Sequence, residues 1–200
     1  MQKIYSMTFS EIGLNKNIQK AITDLGFDTP TPIQQESIPY LLENKNDLIA
    51  LAQTGTGKTA AFGLPVLHKI DVERKFPQAI ILCPTRELCL QIAKDMETYA
   101  KYTKGLKITA VYGGASIMPQ IKSLKSGTQI VVGTPGRVID LINRKSLKLQ
   151  DIEFVVLDEA DEMLNMGFKD DLDTILAETP SEKQTLLFSA TMPKEVMRIS

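Results

Sequence analysis

A three-layer α/β fold, with a mostly parallel central sheet covered by helices on both sides, is what the sequence predicts. Three observations carry this. Short apolar runs alternate with helical patterns along the chain, and such alternation means right-handed crossovers between parallel strands. The runs are continuous rather than interleaved with polar residues, which suits strands covered on both faces. Polar clusters follow directly on several runs, and in open parallel sheets ligands sit outside the carboxyl ends of the strands.

The elements follow in order. Asn15 suits the N-cap of a first helix with Ile18, Ala21, Ile22 and Leu25 on one face, closed by Gly26. Thr31-Pro32 opens a second helix, proline at its first position, running to about Leu42. Six candidate strands come next: Leu48–Ala52, Ala79–Cys83, Ile108–Tyr112, Gln129–Val132, Phe154–Leu157 and Thr185–Phe188. The clearest helix between them is Arg86–Ala100, where Leu88, Cys89, Ile92, Met96 and Tyr99 recur at spacings of three and four. From Pro193 to Ser200 another helical pattern begins without a stop signal.

Two hundred residues suit one domain with a single core, expected to span residues 1–200. Hydrophobic residues are 43% and charged residues 24%, with 23 basic against 24 acidic side chains. That balance excludes a collagen, a disordered tail and a highly basic nucleic-acid coat. Any nucleic-acid site must therefore come from local placement of donors. Cys83 and Cys89 read as reduced core thiols, and the single histidine, His68, as a packing or surface residue without a catalytic role. One histidine and two cysteines cannot make the usual zinc set. Met1–Ser6 has no apolar signal region and no run approaches the ~20 residues of a membrane span. The expected setting is the cytoplasm, with no membrane.

Ala52-Gln53-Thr54-Gly55-Thr56-Gly57-Lys58-Thr59 follows the first strand and opens a helix through Ala60, Phe62 and Leu64. This is a P-loop arrangement. Its glycines let successive backbone N–H groups turn toward one anion, the helix N-terminus adds partial positive charge, and Lys58 reaches terminal phosphates. Thr59 offers a hydroxyl to Mg²⁺. Ala52 stands where the strict pattern has glycine, a departure that Gly55 and Gly57 make tolerable. One hundred residues beyond Lys58, the apolar run ending at Leu157 leads into Asp158-Glu159-Ala160-Asp161. A carboxylate at the end of a neighbouring strand completes a Mg²⁺ shell in such enzymes, which makes Asp158 the partner of Thr59. Glu159 can hold and polarise an attacking water.

With these pieces placed, the sequence resembles the DEAD-box RNA helicases from about Phe9 to Ser200. Gly26-Phe27-Asp28-Thr29-Pro30-Thr31-Pro32-Ile33-Gln34, with Phe9 upstream, resembles the Q motif, a region spanning 9–34. Pro84-Thr85-Arg86-Glu87-Leu88 resembles motif Ia, Gly113-Gly114 the GG motif, Thr134-Pro135-Gly136-Arg137 motif Ib, and Ser189-Ala190-Thr191 motif III. The resemblance implies the N-terminal RecA-like P-loop NTPase domain of a helicase, binding ATP with Mg²⁺. It implies that Gln34 reads the adenine edge while Phe27 packs on the base. Catalysis falls to Lys58, Asp158 and Glu159. RNA-backbone contact, blind to base identity, falls to Thr85, Arg86, Gly113, Gly114, Thr134 and Arg137. Asp161, Ser189 and Thr191 couple the nucleotide and RNA states.

The second RecA-like domain, with its arginines, is expected beyond this chain. The domain alone is then a monomer with weak, salt-sensitive RNA affinity and little or no ATPase activity. Two alternatives stay open at this level: an ATP-dependent RNA clamp, and a small-molecule kinase, which would not need Phe27, Gln34 or the Thr134–Arg137 loop.

Overall fold

The computed structural model describes residues 7–191, so the helical pattern expected over 193–200 lies outside the described residues. Six strands form one sheet: β1 (Leu48–Leu51), β2 (Ala79–Leu82), β3 (Ile108–Val111), β4 (Ile130–Gly133), β5 (Phe154–Asp158) and β6 (Gln184–Ser189). Their order is β1-β6-β5-β2-β4-β3, and every neighbouring pair is parallel. Each strand end lies within one residue of its expected place, because unbroken apolar runs bounded by polar or glycine residues define it.

Side-chain alternation sorts the strands into two cores. Ile81, Val132, Val156 and Phe188 face the helices α1 (Lys16–Asp24), α2 (Pro32–Glu43), α3 (Lys58–Lys69) and α4 (Arg86–Tyr99). Ile80, Val131, Val155 and Leu187 face α5 (Ile117–Lys125), α6 (Pro135–Asn143), α7 (Ala160–Asn165) and α8 (Lys169–Ala177). This is the three-layer arrangement, with both faces of the central strands covered.

Coverage of every strand on both faces does not hold at the edges. β1 pairs only with β6 and leaves Ile49 45% and Leu51 62% exposed, while β3, at the other edge, is only half covered. An outermost strand has neighbours on one side only, and a continuous apolar run does not reveal which strand that is. Leu25 is a second correction: it caps α1 and is exposed rather than sharing the buried face of Ile18, Ala21 and Ile22.

His68 has a structural task. Its Nδ1 accepts a hydrogen bond from the Asn15 backbone N–H at 3.1 Å, while Asn15 Oδ1 accepts from Ile18 N–H at 3.1 Å, so two separate bonds define the start of α1. Burial, then the neighbouring Lys69 charge, holds the imidazole below its ordinary pKa. Cys83 and Cys89 are both free and buried. No helix among the described residues is long and apolar enough to cross a membrane.

Candidate functional site

Strand order explains how distant stretches meet. β6 lies between β1 and β5, so the loops leaving β1, β6 and β5 open side by side at one end of the sheet. The Ala52 N–H donates to Ser189 O at 2.9 Å, joining the start of the glycine-rich loop to the end of β6. Gly57 is the N-cap of α3 at φ +88°, and a Cβ there would stand 2.4 Å from Gln34 Nε2. Only glycine suits that position on both counts.

Lys58 and Asp158 come together as the sequence implies. Lys58 Nζ lies 3.3 Å from Asp158 Oδ1 and 3.9 Å from Glu159 Oε1, with the side chains of Lys58 and Asp158 only 6% and 3% exposed. The contact is between charges without aligned hydrogen bonds: the ammonium is buried and has no directed acceptor. Burial pushes the Asp158 carboxyl above the usual aspartate range, and the Lys58 ammonium pulls it partly back. Among the described residues no hydrogen bond joins Thr59, in the first turn of α3, to Asp158.

Among the described residues Glu159 is one of two non-glycine residues at positive φ, +55°, at the N-cap of α7. A left-handed glutamate costs about 1–2 kcal/mol, and such strain gathers where side chains must be aimed. The result here is contact across the sheet end: Thr54 Oγ1 donates to Glu159 Oε1 at 3.2 Å.

Gln34 is buried and spans two loops. Its Oε1 accepts from Thr31 N–H at 2.9 Å and its Nε2 donates to Gly57 O at 3.0 Å. One N–H and one lone pair of the amide are left by these two bonds. Thr31 Oγ1 adds a bond to Thr56 O at 2.9 Å, a tie that the sequence reading missed although Thr31 stands in the same motif. Phe27 packs between Phe9 and Tyr99, ring centroids 5.7 and 6.0 Å away, and borders a hollow of about 280 Å³. Thr56 Oγ1 donates to Gln53 O at 2.7 Å, closing the loop on itself.

Asp161, Ser189 and Thr191 also converge. Asp161 Oδ2 accepts from the Thr191 N–H at 2.9 Å and from its hydroxyl at 2.7 Å, and the Asp161 N–H donates to Ser189 Oγ at 3.2 Å. Burial pushes the Asp161 carboxyl up, but the hydrogen bonds from Thr191 and Ser189 outweigh it and leave the group below its ordinary value.

The loops leaving β2, β4 and β3 form a second cluster. Arg86, Gly113, Thr134 and Arg137 line a cleft of about 440 Å³ with Asp140 and Phe168, two residues that the sequence reading did not single out. Asp140 lies within α6 and Phe168 at the N-cap of α8, and neither position says by itself which loops the side chain faces. Thr85 caps α4 by accepting from Leu88 N–H at 3.2 Å. Arg86 stacks on Tyr112 at 4.9 Å and reaches Gly114 O at 3.5 Å. Arg137 Nη2 donates to Ala115 O at 3.0 Å, while its Nη1 is buried with no partner.

Comparison with known proteins gives a family. Residues 31–199 match the sequence profile of the DEAD/DEAH box helicase family. The chain is 58% identical over 191 residues to the ATP-dependent RNA helicase CshA of Listeria monocytogenes, covering 96% of this chain and 36% of that protein. It is 54% identical over 194 residues to the ATP-dependent RNA helicase DeaD of Haemophilus influenzae, covering 97% and 32%. The crystal structure of a DEAD box protein from Methanococcus jannaschii superposes with a TM-score of 0.92 at 48% identity, over 96% of this chain and 52% of that one. The chain thus spans about a third of the length of these curated relatives. Profile match, identity and superposition agree, and the chain belongs to the DEAD/DEAH box helicase family.

Proposed function

We propose that this chain is the ATP-binding half of an RNA helicase core, which with a second RecA-like domain couples ATP binding and hydrolysis to local RNA unwinding or remodelling. One observation carries the nucleotide assignment: the buried Lys58 ammonium, with three N–H donors and no directed acceptor, sits at the amino end of α3 beside two left-handed glycines, Gly55 and Gly57. Backbone amides and an unsatisfied ammonium are what a triphosphate needs.

On this reading Lys58 exchanges Asp158 for phosphate oxygens when ATP binds. Asp158 and Thr59 then hold Mg²⁺. The described residues contain no cluster of three or more His, Cys, Asp or Glu that would hold a metal ion without help, and this fits an ion that takes one or two protein ligands plus phosphates. Bound there, Mg²⁺ neutralises phosphate charge. Glu159, held over the loop by Thr54, positions water and takes its proton. Gln34 uses its remaining N–H and lone pair on the adenine edge, with Phe27 beside the base. RNA phosphates and 2′-hydroxyls meet Thr85, Arg86, Gly113, Gly114, Thr134 and Arg137, and the unpartnered Arg137 Nη1 supports an anion in that cleft. Asp161, Ser189 and Thr191 connect the two. Hydrolysis by this chain alone is slow, because an arginine supplied by the second domain is worth about 10³–10⁵ in rate. Cytoplasm is the setting that the free thiols suit.

The test is binding of a fluorescent ATP analogue with and without Mg²⁺. The chain binds it, and Lys58→Ala weakens binding at least a hundredfold. Equal affinity in the two proteins would overturn the nucleotide assignment.

A further inference from the structure

A second kind of cleft lies at the opposite end of the sheet. It encloses about 450 Å³ at the amino ends of β5 and β6, where Phe154 and Gln184 begin those strands. About one strand length, some 15 Å, separates it from Asp158 at the other end of β5. Phe154, 7% exposed, belongs to its lining and offers an apolar surface.

Lys45, Lys69 and Lys183 line this cleft, and none of them forms an ion pair among the described residues. Lys69 Nζ is 5.8 Å from the Phe154 ring centroid and donates to Asn44 O at 3.2 Å. Lys183 Nζ donates to Pro180 O at 3.3 Å. Arg74 also lines the cleft, but it is already paired with Glu153. The charge that acts on Lys69 is another cation, Lys45, and burial together with that neighbour lowers the Lys69 pKa. Lys45 and Lys69 thus line one cleft, Lys69 beside an aromatic ring, and neither is paired with a carboxylate among the described residues. A bound carboxylate would relieve both the burial of Lys69 and its repulsion by Lys45.

We propose that this cleft binds an acidic peptide segment of a partner protein, one carboxylate lodging between Lys45 and Lys69 and a neighbouring apolar side chain resting on Phe154. The volume falls within the range of small-ligand pockets, about 300–1,000 Å³. RNA suits the cleft less well. Asp151, Glu153 and Glu182 stand in the same lining, and successive phosphates would meet them, whereas a peptide can present a single carboxylate to the lysines. The proposal is independent of the ATP and RNA assignments, which concern the other end of the sheet.

The experiment is an amide NMR titration of the chain with an acetylated, amidated hexapeptide that carries one glutamate next to one leucine among glycines and serines. The expected result is shifts at Lys69, Phe154 and Lys183, with a Kd raised at least tenfold in a Lys45→Glu/Lys69→Glu variant. Should that variant lose its cooperative melting, Lys45→Glu alone, at an exposed position, serves instead with at least a threefold rise. Four results overturn the proposal: no shifts at millimolar peptide, shifts confined to other surfaces, equal Kd in chain and variant, or an oligouridine RNA shifting these amides where the peptide does not.

Discussion

At the carboxyl ends of β1, β6 and β5 the polar side chains are held by groups of the chain itself. The Lys58 ammonium faces the opposite charge of Asp158, though without a directed hydrogen bond, while Thr54 bonds Glu159, Gln34 the Gly57 carbonyl, and Thr191 Asp161. At the carboxyl ends of β2, β4 and β3 they are left more open. Arg86 holds Gly114 O only at 3.5 Å, and Arg137 keeps a buried nitrogen without a partner. On the proposed function, the difference separates two ways of receiving an anion. In the first half a ligand must displace an internal partner, so binding is an exchange and changes the loops around it. In the second half a ligand adds bonds to donors already waiting, and the loops need not rearrange.

The largest expected effect tests whether the first half really depends on its internal pairing. Lys58→Ala leaves Asp158 buried without its counter-charge and should cost about 3 kcal/mol of stability, read by denaturant unfolding. Arg137→Ala removes one carbonyl hydrogen bond and an unsatisfied nitrogen, and should change stability by less than about 1 kcal/mol. Similar losses from the two substitutions would break the comparison.

Binding sharpens it next. In Arg137→Ala the affinity for single-stranded RNA should fall roughly tenfold, and the slope of log affinity against log salt should shrink by about 0.7, as loss of one phosphate contact requires. A titration series at several salt concentrations reads both. An unchanged slope would mean that Arg137 touches no phosphate.

A smaller effect concerns the link at Asp161. Its carboxyl titrates below the ordinary 3.8 because Thr191 and Ser189 hydrogen bonds favour the charged form over the opposing effect of burial. The stability it contributes is therefore present above 3.8 and is lost as pH falls through the lower, folded value. Thr191→Val removes the 2.7 Å hydroxyl bond and should move the titration upward, followed by carboxyl carbon NMR. No movement would show that Thr191 does not hold the carboxylate.

The smallest effect lies outside both halves and provides a reference. His68 titrates below its ordinary 6.5, burial being the main cause. Stability is then fullest above 6.5 and erodes as pH falls from there toward the folded value, since the unfolded chain takes up the proton first. His68→Gln should flatten the fall in Tm between neutral and mildly acidic pH. An equally steep fall in that variant would assign the slope to other groups.

Much of this was legible in residue order. Runs such as Ala79–Cys83 and Phe154–Leu157 declare strands by apolar continuity, and a glycine-rich turn between strand and helix declares an anion cradle by its chemistry. The edge position of β1 was not legible, because its apolar run looks like those of the central strands. Nor was Thr31's bond to Thr56, or the presence of Asp140 and Phe168 beside Arg137. Contacts of that kind depend on how loops from separate strands lie against each other, and no periodicity encodes it.

By itself the sequence determined the local chemistry: which segments extend, which coil, and which loops carry glycines, ammonium and carboxylates, since these follow from backbone sterics and side-chain type within a few residues. Tertiary structure alone decided adjacency. Inserting β6 between β1 and β5 sets Lys58 against Asp158, and placing β4 between β2 and β3 gathers Arg86, Gly113 and Arg137 around one cleft. The physical reason is that strand order is set by how the two helical layers bury both faces of the sheet, a property of the whole chain and of no segment within it.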